Sequence, residues 1–414
     1  MLREKRMPAL PRMRSFLSTT SEGSAGSFPD EDTTMAVAAP TVAVGVHGRV
    51  RTHEQAGARA VALESDGLRP RSLPALTGVR FVAAAVVLIG HFAPGGLPFS
   101  ESGTAAVTLF FLLSGFILTY TAPPRLSARA FYVARLARIY PAYMLGLLLV
   151  TIPALTGAIS PSGICPAPRG AILPDVAMVQ SWVLVATPCL NAPAWSVSCE
   201  MFFYLLFPLL LPLVRLLPQA SLRLGLLLVW LVALALPLAF IVLHPSGVAA
   251  AIAFRLIHTF PAARLPDFLY GMLLGHLYVT GTRLPRPGLC ALGALCCFAL
   301  VPAFVFGFGP LQDAMLWPAC AVLLLALAQG GGVVSAVLAT PAAITLGEAS
   351  YGLYILHGPV WGGLQHLGAP SPQAGGWPYF LSYAALMIAL ALLSLRFVET
   401  PARRAIRRLL APGI

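Results

Sequence analysis

Arg80 and His91 stand eleven positions apart in an otherwise apolar run. In a helix, 100° per residue returns them to within about 20° of one face, about 16 Å apart along the axis. An imidazole titrates near neutrality and can take or return a proton, and a guanidinium can grip phosphate or carboxylate through paired N–H groups. Another group reads Trp195-Ser196-Val-Ser-Cys-Glu200, with Ser196 and Glu200 one turn apart on a common face. Glu200 is a carboxylate that could orient or activate His91 if both sit at the same depth, the base-and-orienter logic of acyl transfer. Arg135 and Arg138 are three apart and share a face able to hold an anionic cytosolic molecule. Ser350, Tyr354 and His357 fall on one helical stripe.

Each feature also has a plainer reading. Arg80 could anchor a helix end, Glu200 could sit in a structural ion pair, and Arg135 with Arg138 could belong to an ordinary basic loop. Small residues from Gly103 to Gly115 suit close helix packing, and Ser114 lacks a base at local spacing. Glu399 most simply pairs with nearby arginines.

Positioning these groups falls to a strongly apolar chain. Of 414 residues, 58% are apolar and only 10% charged, too few charges to dress a water-facing surface. Residues 1–72 hold 10 of the 27 Lys and Arg and 8 of the 15 Asp and Glu, and their polar, Pro/Gly/Ser-rich composition predicts a disordered cytoplasmic extension. From Leu73 onward, apolar runs of about 20 residues alternate with short Pro/Gly breaks, the length of a helix crossing a bilayer. Ten such runs predict an all-α, polytopic membrane protein: 73–92, 104–122, 139–158, 195–214, 222–243, 264–282, 288–308, 313–330, 343–364 and 378–397.

An eleventh stretch, 171–187, carries Asp175, Gln180 and flanking prolines. If it does not cross, Arg125, Arg129, Arg135, Arg138, Arg215, Arg223, Arg283, Arg286 and the C-terminal arginines share one side, with Arg169, Arg255 and Arg264 opposite. The tendency of arginine to stay in the cytoplasm then selects ten spans, with both termini cytoplasmic. The domain reading is an extension over 1–72, a transmembrane domain over 73–404 and a short basic cytoplasmic tail over 405–414.

The net charge of +12 is therefore topological, and no basic patch interleaved with polar sequence points to nucleic acid. Seven cysteines, an odd number without CxxC pairs, read as small buried apolar residues, with pairing of Cys165 and Cys189 left open. No metal is implied.

In order along the chain, Arg80 and His91, the Gly103–Phe116 run, Arg135-x-x-Arg138-Ile-x-Pro141-x-Tyr143, Trp195-Ser196 with Glu200, Ser350-Tyr351 through His357, and Glu399 with Pro401 resemble the membrane-bound acyltransferase-3 family. The resemblance spans about residues 73–404. It implies ten membrane helices and transfer of an acyl group, often acetyl, from cytosolic acyl-CoA to a hydroxyl of a glycan or other exported acceptor. In the inner membrane the site would comprise His91 and Glu200 as catalytic groups, with Arg80, Arg135, Arg138, Trp195, Ser196, Tyr354 and His357 binding substrate. No tightly bound cofactor is implied. The rival class is a polytopic transporter or flippase whose buried Arg, His and Glu line a substrate path.

Overall fold

The computed structural model describes residues 72–94, 103–155, 168–183, 190–304, 309–370 and 374–410. Apart from Ser72, the extension read over 1–72 lies outside these residues, as do Cys165 and Cys189. Among the described residues there is no β-strand.

Prolines mark several helix starts, because the missing N–H costs nothing in the first turn and φ is already set. Thus α1 runs Pro74–Phe92. It is followed by α2, Gly103–Thr121, and α3, Ala128–Leu155. The short α4, Pro168–Val176, precedes α5, Trp195–Arg215, and α6, Gln219–Leu243. Next come α7, Gly247–His258, α8, Pro261–Val279, and α9, Pro287–Phe304. The pairs α10, Gly309–Met315, with α11, Trp317–Gln329, and α12, Gly332–Leu338, with α13, Pro341–His366, follow. The Thr340 hydroxyl caps α13 by accepting from the Ala343 N–H at 3.4 Å. Finally α14, Gly376–Ser394, passes through a π-helical turn, Leu395–Glu399, into α15, Thr400–Leu410.

Among the described residues, seven helical segments are long and apolar enough to cross a membrane, or nine if each bent pair, α10–α11 at 44° and α12–α13 at 66°, is one span. The shorter apolar helix within α9 occupies the remaining predicted run, so each of the ten runs has its helix. The described part of the 171–187 stretch, 171–183, is not one continuous helix: α4 has only nine residues and gives way to a 3-10 turn, Gln180–Trp182. Proline within the stretch and the need to place Asp175 and Gln180 break it up.

That segment folds back onto the bundle. Tyr143 donates to the Asp175 carbonyl at 2.6 Å, Gln180 donates to the Ala194 carbonyl at 2.9 Å, and Asn191 donates to the Ile355 carbonyl at 3.0 Å. The Asp175 side chain is buried, with Oδ1 lacking a hydrogen-bond partner, and burial pushes its carboxyl up to about 7.

The most extensive helix contact is between α2 and α8. A Cβ on Gly271 would overlap the Leu112 carbonyl, and one on Gly115 would overlap the Phe268 carbonyl. The two backbones touch because neither position carries a side chain, the packing role expected of the small residues in α2. Leu224, Leu227, Leu228 and Leu231 of α6 are instead exposed, an apolar face that suits acyl chains.

One end of the bundle collects the loop arginines. Arg215 donates to the carbonyls of Ala122, Pro123 and Pro124 at 2.8, 3.0 and 3.1 Å, and Arg129 donates to that of Leu410 at 3.1 Å. One sequence reading needs correction. Arg264, assigned to an outer loop, is buried within α8, where it donates to the Thr108 hydroxyl at 2.6 Å and pairs with Asp267 at 3.1 Å. A carboxylate one turn away makes burial tolerable. Residue 405, where the basic tail was read to begin, lies within α15.

Candidate active site

Helices α1, α2, α3, α5, α13 and α15 enclose a cavity of about 330 Å³. Its walls bring together Arg80, Arg135, Arg138, Ser196, Glu200 and Tyr354, six of the nine residues singled out from the sequence. Arg80 reaches it from the second turn of α1, and Arg135 and Arg138 from the second and third turns of α3, all near the basic end. Arg135 lies over the rings of Phe131 and Tyr204, 5.7 and 5.9 Å from their centroids, which holds a cation where water is scarce. Its Nε is buried without a hydrogen-bond partner.

Glu200 does not take up the expected partnership with His91. Its hydrogen bonds among the described residues come from the Tyr204 hydroxyl, one turn along α5, and from the Ser114 hydroxyl at 3.4 Å. The glycine contacts of α2 explain this, since they bring Ser114 to the cavity wall opposite α5.

His91 is joined instead to His357, with Nδ1 of His91 2.9 Å from Nε2 of His357. Phe92 packs edge-on against His357, Trp361 and Tyr383, and the Tyr383 hydroxyl donates to the His357 carbonyl at 2.6 Å. The cavity connects to this pair through Tyr354. Its ring lies 5.9 Å from that of His357, and its hydroxyl donates to the Pro193 carbonyl at 2.9 Å while accepting from Ser196 at 2.8 Å. The polar stripe on α13 thus links the cavity end to the imidazoles.

Trp195 is not in the cavity wall. It packs against Phe111 and against His258, with ring centroids 6.1 and 5.1 Å apart, and so braces the start of α5. Glu399 pairs with Arg403 at 3.9 Å, the structural role read from the sequence.

Among the polar members of the cavity wall, sequence reasoning gave no part in the site to four. Ser114 and Tyr204 flank Glu200, and Arg403 and Arg407 reach in from α15. Signals existed: Glu200 with Tyr204, and Arg403 with Arg407, have the spacing of neighbours on a helix face. The arginines were read as topology alone because they follow the last apolar run.

A family profile described as an acyltransferase domain matches residues 73–396. The acyltransferase MdmB of Streptomyces mycarofaciens is 31% identical over 318 residues, 69% of this chain and 78% of the relative. A provisionally named O-acetyltransferase of Staphylococcus aureus (strain COL) is 22% identical, covering 81% of this chain and 58% of the relative. A provisionally named peptidoglycan O-acetyltransferase of Bacillus subtilis (strain 168), YrhL, is 23% identical, with 80% and 55% covered. The chain therefore spans little more than half the length of the latter two. No solved structure matches. With helices suited to a bilayer and this match over most of its length, the chain belongs to the acyltransferase-3 family and is a multi-pass membrane acyltransferase.

Proposed function

We propose that the protein moves an acyl group, acetyl being the simplest, from cytosolic acyl-CoA to a hydroxyl of a glycan or another exported acceptor, in the cytoplasmic membrane. The observation that carries this reading is the cavity, which joins an arginine-rich mouth at the basic end to Tyr354 and, beyond it, two paired imidazoles. Preference of arginine for the cytoplasmic side orients the mouth inward and makes both termini cytoplasmic. The B. subtilis relative's name refers to peptidoglycan, which favours a glycan acceptor.

Arg80, Arg135 and Arg138 hold the donor phosphates, and the extended pantetheine arm runs along the cavity past Glu200 toward Ser196 and Tyr354. The Arg80-to-His91 rise of about 16 Å along α1 leaves room for that arm. His91 takes the proton of the acceptor hydroxyl as its oxygen attacks the thioester carbonyl carbon. The C–S bond breaks, the acyl oxygen ester forms, and CoA leaves as a thiolate that recovers the proton from the imidazolium. His357 orients the His91 ring. Glu200, fixed by Tyr204 and Ser114, positions the arginine side chains of the donor cavity. Acyl-CoA is a substrate in this scheme, and no bound cofactor is needed.

The test is incorporation of label from [¹⁴C]acetyl-CoA into cell-envelope glycan by membranes carrying the protein. Wild type should transfer label and His91→Ala, folded and inserted normally, should not. Transfer by His91→Ala at the wild-type rate would overturn the mechanism. Movement of an acylated substrate without consumption of acetyl-CoA would favour a transporter.

A further inference from the structure

The mechanism leaves two of the five cavity arginines without a task. Arg403 and Arg407 lie one turn apart on α15 and line the same cavity as Arg80, Arg135 and Arg138. Arg407 is exposed, and Arg403 is half-buried one turn deeper, so they sit at the mouth. The helix that carries them has no buried residue and lies along α3, tied by the Arg129 bond to the Leu410 carbonyl.

Two observations point to a ligand here. Nε and Nη2 of Arg403 are buried without a hydrogen-bond partner, although Nη2 stands 3.9 Å from Glu399. The Glu399 charge holds the guanidinium in place, two of its nitrogens have no hydrogen-bond partner, and the residue lines the cavity. The second observation is charge. Arg80, Arg135 and Arg138 with Glu200 give three positive charges against one negative, a net of +2 that matches a diphosphate diester. Arg403 and Arg407 add two more against the one on Glu399, a surplus that a further phosphate monoester, carrying about −1.5 to −2 at neutral pH, would meet.

Resting on the acyl-CoA reading above, we propose that Arg403 and Arg407 form a separate mouth subsite for the 3′-phosphate of the donor's ribose. The subsite recognises a phosphate monoester and selects CoA over donors that lack it. An anionic lipid headgroup carries similar chemistry, so the test is run in nanodiscs of purely zwitterionic lipid and repeated with anionic lipid.

Steady-state transfer is measured with acetyl-CoA and with 3′-dephospho-acetyl-CoA, using wild type, Arg407→Ala and Arg403→Lys. Wild type should show KM about tenfold higher for the dephospho donor with kcat little changed, the scale of one charge-assisted contact. Arg407→Ala should raise KM for acetyl-CoA toward the dephospho value and leave the dephospho KM nearly unmoved, bringing the ratio close to one. Arg403→Lys keeps the charge facing Glu399 but loses the fork, and should lower the ratio partway. A wild-type ratio near one, or an unchanged ratio in variants that melt like wild type, overturns this assignment alone. A variant effect seen only with anionic lipid overturns it in favour of headgroup binding. If wild type uses neither donor, the acyl-CoA reading fails and takes the subsite with it.

Discussion

Nδ1 of His91 lies 2.9 Å from Nε2 of His357, across 266 residues of sequence. Helices α1 and α13 meet closely along their length, where a Cβ on Gly347 would overlap the Thr77 carbonyl. Two imidazoles sharing one hydrogen bond act as a unit, and units of this kind respond to mutation non-additively.

Substituting His357→Asn should therefore lower kcat by about a hundredfold, the usual scale of a lost general-base arrangement, with little change in donor KM. The double variant with His91→Ala should be no worse than His91→Ala alone. Rates of labelled acyl transfer check both statements, and additive losses would separate the two histidines.

Arg138→Ala should raise the apparent KM for acetyl-CoA by about tenfold, with a smaller effect on kcat, because it removes a charged contact made equally in ground and transition states. An unchanged KM would return Arg138 to an anchoring role.

Glu200→Gln distinguishes a cavity carboxylate from an orienter of His91. Bound to Tyr204 and Ser114, Glu200 should act mainly on donor KM, by about three- to tenfold on the scale of a charged hydrogen bond, and leave the pH dependence of kcat in place. A displaced pH profile would restore the partnership first read from the sequence.

Much of this site was legible in the sequence, from polar groups set in apolar runs and from the family resemblance they carry. Arg80, Arg135, Arg138, Ser196, Glu200 and Tyr354 were found because polar groups in apolar helices are costly, and they do share one cavity. The helix runs were legible from their apolar length, and the non-crossing of the 171–187 stretch from the distribution of arginines among the loops. Partnerships across the bundle were not. Whether Glu200 meets His91 depends on how far α2 approaches α8 and on the side Ser114 then presents, which no local spacing encodes. Trp195, a substrate contact in the family resemblance, packs on Phe111 and His258 outside the cavity wall, a placement that local spacing does not encode.

Asp175 predicts a pH effect on stability. Its folded carboxyl is raised to about 7 by burial, against an ordinary 3.8, so the neutral form suits the fold. That contribution is complete below the unfolded value and disappears as pH rises through about 7. Thermal unfolding in detergent should accordingly fall by a few degrees between pH 5 and pH 8.5, and Asp175→Asn should flatten the change. Equal pH dependence in the two proteins would clear Asp175.

Gly271→Leu should prevent assembly, since the added side chain must displace the Leu112 carbonyl of the facing helix. Loss of a monodisperse peak in detergent chromatography is the expected result, and a folded, active variant would contradict the backbone contact. Gly362→Ala, in open space on α13, is the control.

The π-helical turn Leu395–Glu399 joins α14 to α15. A turn of this kind accommodates one residue more than the α-helix and advances everything after it by about 100° of phase. The last membrane helix is thereby decoupled in angle from the segment that follows. α14 keeps its greasy side toward lipid while Arg403 and Arg407 swing round to the cavity. Shortening the turn by a single residue would leave the composition of the C-terminus almost untouched and rotate its cations away from the entrance. The angular register of this terminus, more than its charge, is what the extra residue supplies.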